Sequence, residues 1–155
     1  MSAKIIAFEG GDGAGKGTQT GALVSAARQA GFKADSLAFP DYDNNVAGSI
    51  CGQLLRGDFG SVASLHHDLR MLAFATDRFE ALPRLQAMMA SNDVVVIDRY
   101  VASNAVYQGA FLSDEAFQAF ATKVFTFEHN LLPKADLTVF LKTAPEISQA
   151  KAVAR

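Results

Sequence analysis

The densest group of chemically useful residues is Gly10-Gly11-Asp12-Gly13-Ala14-Gly15-Lys16-Gly17-Thr18. Glycines let backbone N–H groups converge on phosphate oxygens, and Lys16 stands where an ammonium group reaches the β and γ phosphates of a nucleotide. An apolar run, residues 5–9, precedes the segment and a helix-forming stretch, residues 15–29, follows it. That strand-to-helix context is what the phosphate-binding P-loop pattern demands, and the helix N-terminus adds partial positive charge. Gly10, Gly11, Gly13, Ala14, Gly15, Lys16, Gly17 and Thr18 are therefore expected to hold the phosphates of a nucleoside triphosphate. Gly17 departs from the pattern, which has Ser or Thr there to ligate magnesium. Mg2+ is expected instead on Asp98, at the end of a buried strand, and on Asp12, directly or through water, while Thr18 can give its hydroxyl to a phosphate. A competing reading of Asp98 pairs it with Arg99 or makes it a turn cap. Glu9, closing the first strand, can orient Lys16 or another polar neighbour.

Two further clusters carry chemistry. Asp98-Arg99-Tyr100-Val101-Ala102-Ser103-Asn104-Ala105-Val106-Tyr107-Gln108-Gly109 follows the third apolar run and belongs at the same sheet edge as the glycine segment. Within it, Ser103 reads either as a functional group or as the cap of the helix carrying Asn104. Phe74-Ala75-Thr76-Asp77-Arg78 sets an aromatic ring and a guanidinium four residues apart, on one face of a helix, where a planar base can be stacked and read. The alternative is a core Phe beside a surface Arg paired with Glu80 or Asp77. Phe39-Pro40 adds an aromatic wall. The guanine-specific Asn-Lys-x-Asp sequence is absent.

These residues need a scaffold. Four short apolar runs, residues 5–9, 36–39, 94–98 and 137–141, are β-branched or aromatic and too brief for helices. Helical stretches alternate with them at residues 15–29, 46–55, 64–90 and 114–130, and Pro83 should kink or divide the third. Phe117, Phe120, Phe125 and Phe127 read as packing of the last of these against the sheet. The alternation predicts an α/β fold: a three-layer, P-loop NTPase-type parallel sheet with helices on both faces and ligands at the carboxyl ends of the strands. At 155 residues, half of them hydrophobic, the chain fits one domain. A net charge of −2, with no run of like charge, gives no support to a nucleic-acid or membrane partner. No apolar run approaches the roughly 20 residues of a membrane span, and the single Cys51 suits a reducing cytoplasm as a small packing residue. His66-His67 lacks a spaced third ligand and reads as a surface or cap pair.

Taken in order, FEGGDGAGKGTQ, FP, FATDR and DRYVASNAVYQG make the chain resemble the thymidylate (dTMP) kinase family over nearly its whole length. Adenylate kinases share GKGTQ but lack the DRY…SN…YQ cluster. The resemblance implies transfer of the γ-phosphoryl group of ATP to dTMP, with Mg2+. Lys16, Arg99 and Asp12 inherit catalytic roles: Lys16 on the migrating phosphoryl group, Arg99 on the acceptor phosphate, Asp12 orienting Arg99 or the ion. Phe74 would stack on thymine and Arg78 bond its carbonyl edge. Asn104 and Gln108 would add polar contacts, and Tyr107 would crowd the ribose 2′ position. Phe39, Pro40 and Tyr42 would complete the dTMP site.

Two departures accompany the resemblance. After Phe39-Pro40 many relatives supply an arginine to the acceptor phosphate, and here Asp41 and Tyr42 follow; neither Arg56 nor Arg70 can be assigned in its place. The family's arginine-bearing lid and fifth strand would follow residue 155, so the chain reads as one kinase domain, residues 1–155, truncated before the lid, with four of five strands. Neutral Gly13 is the variant that relies on that lid, and a lost transition-state arginine costs on the order of 10³ to 10⁵ in rate. The expectation is a chain that binds phosphate and dTMP better than it turns over, the rival being a non-catalytic nucleotide-binding module or a kinase of another base preference. Family members are commonly homodimers, and Leu65, Leu69, Met71 and Leu72 offer an apolar helix face for one.

Overall fold

The computed structural model describes residues 3–144 and Glu146. A helix expected after the fourth strand, over residues 144–155, falls almost wholly outside these residues. The chain divides into two compact units, one of residues up to Ala38, Leu85–Tyr100 and from Lys134 on, the other of Phe39–Arg84 and Val101–Pro133.

The first unit carries β1 (Lys4–Gly10), α1 (Lys16–Gln29), β2 (Ala34–Ala38), β3 (Val94–Asp98) and β4 (Leu137–Leu141). All pairings are parallel and the strand order is β2-β3-β1-β4. The central strands are the apolar ones: Ile5, Val95, Val96 and Ile97 are buried. Phe8, Val24, Ala34 and Val96 form a core between α1 and the sheet, with Leu23, Ala27, Val139 and Leu141 packed against it. β4 is an edge strand, and Phe140 is 67% exposed. β2 begins two residues before the expected run and ends at Ala38, shortly before Pro40, which has no N–H for a ladder. Register sets the carboxyl ends of β1 and β3 side by side, with Phe8 opposite Asp98.

The second unit is helical: α2 (Val46–Arg56), a 3-10 turn (Val62–Ser64), α3 (His67–Glu80), α5 (Val101–Gly109) and α6 (Asp114–His129). The long expected helix is divided, as Pro83 requires; α3 ends at Glu80 and α4 (Leu82–Ser91) begins one residue beyond Ala81, its first residues in this unit. Glu80 caps α2 by accepting from Val46 N and Ala47 N at 3.0 and 2.8 Å. Ser113 caps α6, and His66 caps α3 by accepting from Asp68 N. Cys51, Leu54 and Phe74 form a buried cluster. Two expectations change here. α5 begins at Val101, so Ser103 is its third residue and not its cap. Of the four phenylalanines of α6, only Phe120 is buried, while Phe125 and Phe127 are more than a third exposed. The α/β reading holds, with a parallel sheet of four strands and six α-helices among the described residues.

Candidate active site

In the first unit the glycine segment leaves β1 and turns into α1. Gly10 must be glycine because a Cβ there would stand 2.8 Å from the Leu141 carbonyl oxygen of β4. Gly15 precedes α1 with φ 89°, in the left-handed region that glycine occupies without strain. No side chain caps α1 and no acidic residue lies in its first turn, so its N-terminal N–H groups are available to an anion.

Lys16, the first residue of α1, is buried and donates from Nζ to the carbonyls of Gly10 and Gly11 at 3.1 and 2.8 Å. Burial lowers the pKa of its ammonium, and nearby Arg99 lowers it further; Asp98, Asp12 and Glu9 oppose the shift. Arg99 follows β3 with φ 66°, a left-handed conformation for a non-glycine residue. Its backbone is held by Arg99 N donating to Phe8 O at 2.9 Å and, one residue on, by Tyr100 N donating to the buried Glu9 carboxylate at 3.0 Å. Its guanidinium donates to Gly10 O and is ion-paired with Asp12. Glu9 thus shapes the turn that presents Arg99. Asp12, Gly13, Gly15, Lys16, Gly17, Asp98 and Arg99 line one cavity of about 390 Å³. A Cβ built at Gly17 would lie 3.4 Å from Asp98 Oδ2, so the position that carries a magnesium hydroxyl in the general pattern adjoins this carboxylate. The oxygen donors of Asp98 and of a bound phosphate suit Mg2+, which keeps several waters and needs few protein carboxylates.

The second unit brings together a different set. Arg78 is 3% exposed, and its Nε and Nη2 donate to Glu128 at 2.5 and 2.8 Å. It is neither a surface residue nor paired with Glu80 or Asp77: Glu80 caps α2, and Asp77 accepts from Asp41 N and Asn45 Nδ2. Burial raises the pKa of Asp77, and these hydrogen bonds pull against that shift. They tie the loop after Phe39-Pro40 to α3. Asn104 donates to Met71 O and Glu128 at 3.0 and 2.7 Å, and its buried Oδ1 has no partner among the described residues. Phe39, Phe74 and Gln108 are buried, Pro40 is half-buried, and Tyr42 and Tyr107 are exposed. Arg70 is committed to the carbonyls of Val62 and Gln108, and Arg56 to Asp58. Arg84 forms an ion pair with Asp41, directly after Phe39-Pro40. His66, His67 and Asp68 lie close together, yet Asp68 is ion-paired with Lys123 and His66 serves as the cap.

The sequence reading missed Glu128 and Arg84. Each joins its partner over a long separation in the chain, and no spacing signal marks it.

The thymidylate kinase family model matches residues 8–155. The chain belongs to the thymidylate kinase family. It is 41% identical to a thymidylate kinase of Mycobacterium tuberculosis over 146 residues, 93% of this chain and 68% of that one. Against the Homo sapiens thymidylate kinase it is 31% identical over 138 residues, 89% of this chain and 60% of the relative. The solved thymidylate kinase of Candida albicans shares the fold, with a TM-score of 0.72 over 99% of this chain and 76% of that chain at 23% identity. No helix among the described residues is long and apolar enough to cross a membrane.

Proposed function

We propose that this family member transfers the γ-phosphoryl group of ATP to dTMP, giving dTDP and ADP. The observation that carries the reading is the cavity at the start of α1, where Lys16 and Arg99 stand with Asp12 and Asp98 beside an uncapped helix N-terminus. Phosphoryl transfer needs positioning and charge neutralisation and no covalent intermediate. Residues 10, 11, 13–15, 17 and 18 cradle the donor phosphates with Lys16, whose ammonium follows the migrating charge. Arg99, oriented by Asp12, meets the acceptor phosphate. Asp98 would hold Mg2+, with Asp12 acting through water, and the ion would supply charge neutralisation to the phosphates. Arg84, ion-paired with Asp41, brings a guanidinium to the loop directly after Phe39-Pro40, from which many relatives supply an arginine.

In the second unit, Arg78 and Asn104 read the base. An Nη1 donor and an Oδ1 acceptor match the O=C–N–H edge of thymine. Phe74 stacks through its remaining exposed surface, with Phe39, Pro40, Tyr42, Tyr107 and Gln108 completing the dTMP site. The homodimer reading draws support from the exposed Leu69 and Leu72 of α3, whereas Met71 is core. A reducing cytoplasm fits the buried free Cys51.

A coupled assay of ADP formation tests the reading with dTMP, dUMP, dCMP, dGMP and AMP as acceptors and Mg2+ present or chelated. Turnover with dTMP far above the others, lost on chelation, is expected. Phosphate binding without turnover of any acceptor would establish the non-catalytic alternative instead.

A further inference from the structure

Glu128 is wholly buried in α6, and one carboxylate there receives three hydrogen bonds, from Arg78 Nε, Arg78 Nη2 and Asn104 Nδ2. The second proton of Asn104 Nδ2 goes to Met71 O at 3.0 Å. A carboxylate and a carbonyl only accept, so they admit one orientation of the Asn104 amide, with Oδ1 turned away from both. That oxygen is buried without a partner among the described residues. The same carboxylate takes the Nε–Nη2 edge of Arg78 in a fork, which fixes the guanidinium plane and leaves Nη1 outside the pair. Glu128 therefore decides which edge of Arg78 faces outward from it and, together with the Met71 carbonyl, which atom of Asn104 does.

We infer that Glu128 is the positioning residue that gives the base-reading pair its polarity, a donor from Arg78 and an acceptor from Asn104. It thereby selects pyrimidines with an imide edge, thymine and uracil, over cytosine. Cytosine presents the opposite pattern, a ring nitrogen that accepts and an amino group that donates, and both contacts would be mismatched. The inference rests on the proposed reading of Arg78 and Asn104 as base contacts and adds to it the group that sets their sense. Glu128→Gln keeps the volume but introduces an amide that donates as well as accepts, so it cannot receive all three hydrogen bonds: the Arg78 fork is broken and only the Met71 carbonyl still holds the Asn104 amide.

The test measures KM and kcat for dTMP and dCMP at saturating ATP, KM for ATP, and dTMP binding by calorimetry. Glu128→Gln is expected to reduce the dTMP-over-dCMP preference by about tenfold or more, chiefly through KM for dTMP, with KM for ATP within about twofold of the parent. In an Asn104→Ala background the same substitution should change the preference by clearly less than it does in the parent, because one of the two groups through which it acts is gone. Glu128→Asp keeps the charge but draws the carboxylate back from both Arg78 and Asn104; it serves where the Gln variant fails to fold cooperatively, and the same loss of preference is expected. A folded variant with the parental preference overturns the inference. So does an equal loss for dTMP, dCMP and ATP, which is the signature of structural damage. A parent chain that neither binds nor turns over dTMP overturns the proposed function itself, and that result is read before any variant is made.

Discussion

In the first unit the groups around the phosphate cavity come from two short stretches, residues 10–18 and 98–100, adjacent because β1 and β3 pair in parallel. In the second, the buried cluster draws Met71 and Arg78 from α3, Asn104 from α5 and Glu128 from α6. The first is held mainly by backbone: glycine conformations, a helix start, and carbonyls that receive Lys16 and Arg99. The second is held by side chains whose charges neutralise one another away from water. Local backbone geometry tolerates loss of a side chain with little damage to folding; a buried ion network does not.

Breaking each region separates the two designs. Lys16→Ala should leave the fold intact and lower kcat with dTMP on the order of 10³-fold or more, by removing charge stabilisation from the transferred group; steady-state kinetics with a thermal melt on the same sample would measure both. Arg78→Met should do the reverse in emphasis. Leaving Glu128 buried without its guanidinium costs about 3–5 kcal/mol, a fall in melting temperature on the order of 10 °C, while ATP affinity persists. A small shift in melting temperature for Arg78→Met would show that the second unit is no more dependent on side-chain pairing than the first.

A pH experiment sharpens the contrast. Burial holds the Lys16 ammonium below the ordinary lysine value, and nearby Arg99 adds to the effect. Between the lowered and the ordinary value the unfolded chain binds more protons, so this group's contribution to stability rises with pH across that window. A triphosphate in the cradle favours the charged ammonium, so ATP affinity should fall as pH rises through the lowered pKa, with proton uptake on binding. Calorimetry at about pH 7 and about pH 9, in buffers of different ionisation enthalpy, should show greater uptake at the higher pH and none in Lys16→Ala. The smallest effect concerns Cys51, whose thiol burial pushes up to about 12. Native protein should resist thiol reagents that label it rapidly in denaturant; fast native labelling would mean that the α2–α3 packing opens easily.

Much of this was legible in the sequence. Strand and helix alternation predicted the α/β class, and Pro83 marked the division between α3 and α4. Residues 10–18 announced a glycine turn between β1 and α1 because consecutive positions determine the local backbone conformation. The spacing put Phe74 and Arg78 on one helix face, but the carboxylate that holds Arg78 was not visible. Glu80 and Asp77 were near in sequence, yet α3 turns them toward the start of α2 and the loop at Asp41. Ser103 misled because a serine after an aromatic turn looks like a cap, whereas Glu9 already holds the turn at Tyr100 N and the helix starts two residues earlier.

The chain by itself determined the elements, the glycine turn and the cations placed next to it, since all follow from short-range periodicity and backbone conformation. Only the tertiary structure decided that Glu128 faces Arg78 and Asn104, that Arg84 reaches Asp41, and that Gly17 lies beside Asp98. Those pairings arise where helices pack and strands align, and the energy that selects them is the cost of burying a charge or a polar atom without a partner.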